Sequence, residues 1–481
     1  MDSKNDLSAN IVEWPAIALS IAIRKKRVSC VEVMQAYLAQ IEKLNPTYNA
    51  IVSRVDSDEL FRLAKVADSQ ISRGGRKGWM HGFPVAVKNL SNALGLETSQ
   101  GSPIFAGTIA SADDLFVERM RSEGAIFIGK SNTPEFGLGS QSYNPVHGTT
   151  RNAYKPQLTA GGSSGGAAVA LATHMVPVAD GSDMMGSLRN PAAFNNVIGF
   201  RPSQGRVPNF PNDNHFYSQL GVVGPMARNV EDTIHLLGTL SGPDRRDPLS
   251  LRDEVIPYRY FRQPKLAEFK IGWLGDYNGY LPFEPGVISL CERSLEFLNA
   301  LGVIVEPCQP DFSLEELWQT WLTLRHWGVS AARPLYDNLE TRKLLKPEIL
   351  WEIEGGLDQT ARQVQLAGMS RSRWYDALDK LLSRYHVLAI PSAQVFPFSS
   401  NIHWPEEIDG KPMDTYHRWM EVVIGGTLAG LPVVNLPVGF DDAGRPMGLQ
   451  FIGRMGEDVQ LLEFALAYEK NTDYLSIRPN L

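Results

Sequence analysis

The sequence predicts an α/β fold, on three observations: amphipathic runs of helical period, short β-branched runs bounded by proline and polar residues, and glycine-rich loops between them. In "SCVEVMQAYLAQIEKLN", Ser29 stands three residues before Glu32, the spacing of a capping box. Val33, Met34, Tyr37, Leu38, Ile41 and Leu44 then share one face, so this segment reads as a helix. "FPVAVKNL" (83–90) reads as a strand that delivers Lys88 at its end, where a lysine serves equally well as a solvated strand terminus.

The next segment is dense in glycine and serine. "AGGSSGGAAVALATHMVPVADGSDMMGSLRN" (160–190) clusters Ser163, Ser164, Ser182 and Ser187 among glycines. Glycine lets a ligand approach the main chain, and serine supplies a hydroxyl that donates, accepts or attacks, so the stretch looks like a site. Its middle, "AAVALATHMVPVAD", reads as a helix and a strand joining two loops. "SGPDRRDPLSLRDEVIPYRYFRQPKL" (241–266), with its prolines and mixed charge, reads as a long surface connection. Beyond it come a strand at "FKIGWLG", a helix near 286–300, an aromatic helical region near 314–336, and strands at "HVLAIPSA" and "LPVVNLPVGF". No internal repeat interrupts the pattern.

With 481 residues, 43% of them hydrophobic, the chain can bury a large core. A formal net charge of -7 without blocks of like charge gives no reason to expect nucleic acid or an anionic membrane as partner, and favours a small or neutral substrate. Cys30, Cys291 and Cys308 outline neither a zinc site nor a disulfide framework, and are expected as inert thiols in a reducing cytoplasm. The N-terminus "MDSKNDLSANIVEWPAIALSIAIRKK" lacks the features of a secretory signal. The longest uncharged run, Val422 to Phe440, holds Pro432, Asn435, Pro437 and several glycines, and is not expected to span a membrane.

Three motifs invite other chemistries. "GAIFIGKS" (Gly124 to Ser131) fits the P-loop pattern, but its spacer is an apolar strand and Pro134 follows, so Lys130 reads as an ordinary strand-end lysine. "GGSSG" (161–165) fits a nucleophile elbow centred on Ser163, which needs a later histidine. His174, His215, His235, His326, His386, His403 and His417 are available, none in a distinctive context. No H-E-x-x-H is present, and "DGSDMMGS" has Met185 where a calcium loop requires glycine, so no metal site is expected.

Lys88, Ser163 and Ser187 together, with "GFPVAVKNL", "GKSNTPEFG", "GGSSGGAA" and "DGSDMMGSLRNPAAFNNVIGFRPSQGRVP", resemble the amidase signature family. "GTLAGLPVVNLPVGFDDAGRPMGLQFIG" (426–453) extends the resemblance toward the C-terminus. It implies a mixed, twisted β-sheet covered by α-helices on both faces, in one domain over 1–481. The signature core would lie at about 80–210 and a more variable substrate-pocket region at about 241–425. It further implies Ser187 as nucleophile, Ser163 as the bridging serine after a cis peptide bond, and Lys88 as base. Ser164, Asp183 and Arg189 match the supporting polar residues, and the main-chain N–H groups of Met184, Met185, Gly186 and Ser187 match the oxyanion hole. Where the family commonly has Gly-Gly-Ser, this chain has Met185-Gly186-Ser187, so a side chain at 185 is expected to restrict the backbone or narrow the acyl pocket.

The chemistry asks for these residue types. A serine attacks only when something takes its proton, and a lysine does so only when neutral, which requires burial to lower its pKa from about 10.4. The developing oxyanion needs preorganised N–H donors. The expected activity is hydrolysis of a carboxamide through an acyl-serine, releasing an acid and ammonia or an amine, without metal or cofactor. The expected partner is a small amide, with room for a homo-oligomer. The rivals are an amidase subunit of a tRNA-dependent amidotransferase and a non-catalytic binding protein on the same fold. Trp318, Trp321, Trp327, Trp351 and Trp404 are candidates for an aromatic pocket, with core packing as the alternative.

Overall fold

A computed structural model describes residues 10–253 and 257–481. Residues 1–9 of the N-terminal segment and 254–256 of the 241–266 connection lie outside the described residues. The capping box forms as its spacing predicts. Ser29 Oγ accepts from the Glu32 N–H at 3.1 Å and the Glu32 carboxylate accepts from the Ser29 N–H at 2.7 Å, opening helix α1 (Cys30–Tyr48). All six residues of its predicted apolar face are buried. At about 1.5–3 kcal/mol for each buried large apolar side chain, that face outweighs the cap, which contributes about 1 kcal/mol.

After α1 the chain builds a three-stranded sheet from β1 (Ile51–Val52), β2 (Pro84–Lys88) and β3 (Ile126–Ser131), in the order β1-β3-β2. β2 and β3 run parallel and every residue in both is buried, the apolar stretches 84–87 and 126–128 each leading into a lysine. The larger sheet holds β4 (Ala179–Asp183), β5 (Ile198–Arg201), β6 (Val222–Ala227), β7 (Lys270–Trp273), β8 (Ile304–Pro307), β9 (Val387–Pro391), β10 (Val433–Phe440) and β11 (Pro446–Ile452). Its order is β8-β7-β9-β11-β10-β5-β6-β4. The pairs β8/β7 and β7/β9 are parallel and the others antiparallel, so the sheet is mixed.

Helices cover both faces of this sheet, which consecutive residues of β11 show directly. Gln450 reaches Arg189, the first residue of α3 (Arg189–Phe194), whereas Phe451 packs on Phe464 and Tyr468 of a C-terminal helix, Asp458–Asn471. Between β3 and β4 lies α2 (Gly165–Ala172), apolar all round and buried at all eight residues. Helices α4 (Val287–Ala300), α5 (Leu314–Val329), α6 (Pro347–Leu357) and α7 (Ala361–Leu382) follow, α5 packing on both α6 and α7. The uncharged run at 422–440 becomes a short helix, Ile424–Leu428, and then β10. Among the described residues no helix is long and apolar enough to cross a membrane.

The two sheets meet beside Lys88, whose N–H donates to Asp180 of β4 at 3.1 Å. That junction lets two glycine-rich loops close over the end of β2.

Candidate active site

β2 carries Lys88 to the junction, and the two loops deliver the serines. The first loop, ahead of α2, holds Ser163 after a cis Gly162–Ser163 peptide bond, at the position the resemblance implies. Ser140 fixes it, its hydroxyl donating to Gly162 O at 2.7 Å and accepting from Gly162 N at 3.0 Å. The second loop, between β4 and α3, holds Met184 to Ser187. Gly186 has a φ of +77° and approaches Val423 so closely that an added Cβ would stand 2.9 Å from it, so only glycine fits. The Ser164 N–H donates to Ser187 O at 3.2 Å and ties one loop to the other.

Lys88 is 1% exposed and is not a solvated strand end. Its Nζ stands 2.8 Å from Ser163 Oγ, 2.9 Å from Ser164 Oγ and 2.9 Å from Ser182 Oγ, with Ser182 O at 3.4 Å. Among the described residues no carboxylate hydrogen-bonds the amine. Burial pushes its pKa down to about 7, against the opposing pull of Asp180 and Asp183. A neutral amine has two N–H donors and one lone pair, which match three hydroxyl partners, one of them donating to it.

Asp183 organises the second loop. Its carboxylate accepts from the N–H groups of Gly186 at 3.0 Å and Leu188 at 3.1 Å, and from Arg189 Nε at 3.0 Å and Nη2 at 2.9 Å. Burial alone would raise its pKa, but the guanidiniums of Arg189 and Arg201 outweigh it and hold the carboxyl well below the usual range. Arg189 also donates to Val423 O, Gln450 Oε1 and Thr427 Oγ1, at 2.8, 2.7 and 2.9 Å. Of the four N–H groups expected at the oxyanion hole, that of Gly186 is therefore spoken for by Asp183. Those of Met184, Met185 and Ser187 make no hydrogen bond among the described residues.

Ser163, Ser182 and Ser187 open onto one cavity of about 450 Å³, walled by Met184, Met185, Leu90, Phe136, Leu138 and Val329, with Arg325 at one side. None of the five candidate tryptophans lines it. Trp318 and Trp321 lie on the buried face of α5 against His417, so core packing is the use the fold makes of them. The elbow reading loses its base: among the described residues no histidine hydrogen-bonds Ser163 or Ser187. His174, for instance, is held by Val12 O and Arg478. "GAIFIGKS" is the apolar strand β3, as its spacer implies. Lys130 within it departs from the expected ordinary strand-end lysine. It is fully buried, donates to Ser91 O, and burial lowers its pKa to about 8.

A family model described as Amidase matches residues 32–462. The chain belongs to the amidase signature family. Over 483 residues it is 31% identical to a glutamyl-tRNA(Gln) amidotransferase subunit of Synechococcus elongatus, covering 95% of this chain and 98% of that one. It is 29% identical to an acylamidase of Rhodococcus erythropolis, with 96% of each chain covered. The crystal structure of a bacterial aryl acylamidase of the amidase signature family superposes with a TM-score of 0.88 at 26% identity, over 97% of this chain and 99% of that one.

Sequence reasoning missed four polar residues of this amidase's site. Ser182 stands in the serine cluster without a role that the sequence assigns, yet it contacts Lys88 through hydroxyl and carbonyl. Asp180 is 1% exposed, and burial raises its pKa to about 6. Arg201 donates to the main-chain oxygen of Asp183 and to Leu220 O. Arg325 lines the cavity from α5. For Asp180, Arg201 and Arg325 the available signal was a charged residue beside apolar neighbours, as in "VPVAD", "GFR" and "WLTLR".

Proposed function

We propose that this amidase hydrolyses a carboxamide C–N bond through an acyl-Ser187 intermediate, with Lys88 as base and Ser163 as the proton bridge. The observation that carries the reading is a buried lysine amine, without a carboxylate hydrogen bond among the described residues, 2.8 Å from a serine hydroxyl on the cavity that Ser187 shares. Ser187 Oγ attacks the amide carbonyl carbon, its proton passes to Ser163 Oγ, and the Ser163 proton passes to Lys88 Nζ. The negative charge on the former carbonyl oxygen is met by the N–H groups of Met184, Met185 and Ser187. Lys88 then returns the proton through Ser163 to the departing nitrogen, the C–N bond breaks, and ammonia or an amine leaves. Water, deprotonated along the same route, attacks the ester carbon; the C–Oγ bond breaks, the proton returns through Ser163 to Ser187 Oγ, and the acid leaves.

Ser164 and Ser182 orient the neutral amine, while Asp183 and Arg189 hold the nucleophile loop rigid without entering the cavity chemistry. On this reading the whole chain, 1–481, acts as one domain: the site core lies at about 80–210, and 241–425 contributes Arg325, Val329, Ile349 and Met420 to the cavity. Met185, 4% exposed and on the cavity wall, narrows the acyl side. The acylamidase and aryl acylamidase relatives support a small amide as substrate. Three buried free thiols suit a reducing cytoplasm.

Incubation with a p-nitrophenyl phosphonate tests the site: intact mass should rise by one phosphonyl group, mapped to Ser187. A label on Ser163 would reverse the assignment. A second reading, as part of an amidotransferase, draws on the 31% identity to the Synechococcus elongatus protein over nearly the whole chain. Purified alone, the chain should hydrolyse simple amides under the first reading; dependence on a stoichiometric partner protein and on charged tRNA would favour the second.

A further inference from the structure

Arg325 reaches the cavity from α5 with one arm uncommitted to any strong acceptor. It is 4% exposed. Nε donates to Glu352 of α6, and Nη2 donates at 2.6 Å to the Tyr416 hydroxyl, which in turn donates at 2.6 Å to Glu352 Oε1. Among the described residues Nη1 has only the Met184 thioether, at 3.5 Å. A thioether is a weak acceptor, so a buried cationic N–H lacks a good partner inside a cavity whose neighbouring wall is Leu138, Val329 and Ile349. Met184 begins the loop whose N–H groups would hold the acyl oxygen, so Arg325 adjoins the acyl half of a bound amide.

Glu352 balances the charge on Arg325 and also stands 2.9 Å from His326 Nδ1. Glu352 is fully buried; burial alone would raise its pKa, but Arg325 outweighs that and holds the carboxylate well below the usual range. Burial keeps the Tyr416 hydroxyl and the His417 ring uncharged. Lys346 and Glu348, 4.0 Å apart, form a second compensated pair beside Leu138. An entering carboxylate would be desolvated without meeting net positive charge, whereas an uncharged acceptor would complete the guanidinium at little cost.

We infer that Arg325 Nη1 is a specificity contact for a second, uncharged hydrogen-bond acceptor on the acyl chain, so that the preferred substrates are amides carrying a further carbonyl. This rests on the reading of Ser187 as the point of acylation. The test uses p-nitroanilides of straight-chain acids ending in a methyl ketone, the matched hydrocarbon or a carboxylate, over a ladder of chain lengths. The ketone series should contain a member favoured over its hydrocarbon by about tenfold in kcat/KM, chiefly through KM, with the carboxylate poorest. An Arg325→Met, Glu352→Gln double variant, which leaves neither charge unpaired, should bring the ketone-to-hydrocarbon ratio to about one. Glu352→Gln alone uncovers the cation and should raise the carboxylate relative to the hydrocarbon by about tenfold. Thermal unfolding and phosphonate labelling confirm that each variant is folded. Equal kcat/KM for ketone and hydrocarbon at every length, or a ratio unmoved in the double variant, overturns the inference and leaves the amidase reading intact. Absence of both hydrolysis and Ser187 labelling overturns the two together.

Discussion

Two lysines sit side by side in the small sheet, Lys88 at the end of β2 and Lys130 one residue before the end of β3, where it pairs in register with Val87. Both are buried and both have depressed pKa values, about 7 and about 8. Their surroundings differ. Lys88 faces three hydroxyls, two of which, Ser163 and Ser182, open on the cavity, whereas Lys130 donates to the Ser91 carbonyl and does not line the cavity. Burial makes an amine neutral near physiological pH, but only a partner that can pass a proton onward makes it a base. A lowered pKa by itself would nominate both residues.

Exchanging the two roles by mutation is the strongest way to break this comparison. Lys88→Met should keep the fold, shown by circular dichroism and thermal melting, and lower kcat/KM for amide hydrolysis by about 10³- to 10⁴-fold. Turnover near the unmutated rate would reduce Lys88 to a structural amine. Ser163→Ala, which removes the bridge and keeps both ends, should leave a slow residual reaction, about 10²- to 10³-fold down in a single-turnover assay. A complete block equal to that of Ser187→Ala would make Ser163 the nucleophile. Lys130→Met should stay within about tenfold of full activity while costing about 1–3 kcal/mol of stability in a denaturant titration, because it strands the Ser91 carbonyl.

pH separates the pair further. On the proposed reading the rate requires neutral Lys88, so kcat/KM should rise with pH through about 7 and level above it, and this limb should be absent from the residual activity of Lys88→Met. Stability has its own sign. Between the folded values and the unfolded lysine value of about 10.4, the unfolded chain holds protons that the folded chain has released, so each lysine makes stability rise with pH across that window and level above it. Replacing either lysine should flatten the slope of the melting temperature against pH, but only Lys88→Met should alter the rate profile. The smallest effect expected is that of a chelator: EDTA should leave turnover unchanged, and a loss restored by zinc or manganese would overturn the metal-free reading.

What the sequence revealed and withheld follows from the range of each interaction. The α1 cap, the β2 strand and the α2 to β4 connection depend on residues close in the chain, so their patterns were legible. Whether Lys88 ended in water or under two loops depended on Ser163, Ser164 and Ser182, which lie far along the chain and reach it only once the sheets meet. The same limit left the use of the tryptophans open between pocket and core. Trp318 and Trp321 stand three apart on one helical face, which says that the face is covered but not by what. The cavity wall instead took Val329 and Arg325 from the same helix. Arg325 was hidden because its partner Glu352 lies on another helix, and neither residue alone signals a buried pair.

The reach of Arg189 sets when during synthesis the protein acquires its chemistry. Its bonds to Val423, Thr427 and Gln450 span 234, 238 and 261 residues, and β5 pairs with β10, which is also drawn from the last part of the chain. A ribosome-bound chain therefore presents Lys88 and all four serines long before the segment that braces the nucleophile loop has emerged. Contacts of such separation form late and slowly. On the proposed reading, a truncated product lacking the final strands carries Lys88 and all four serines without the residues that brace their loop.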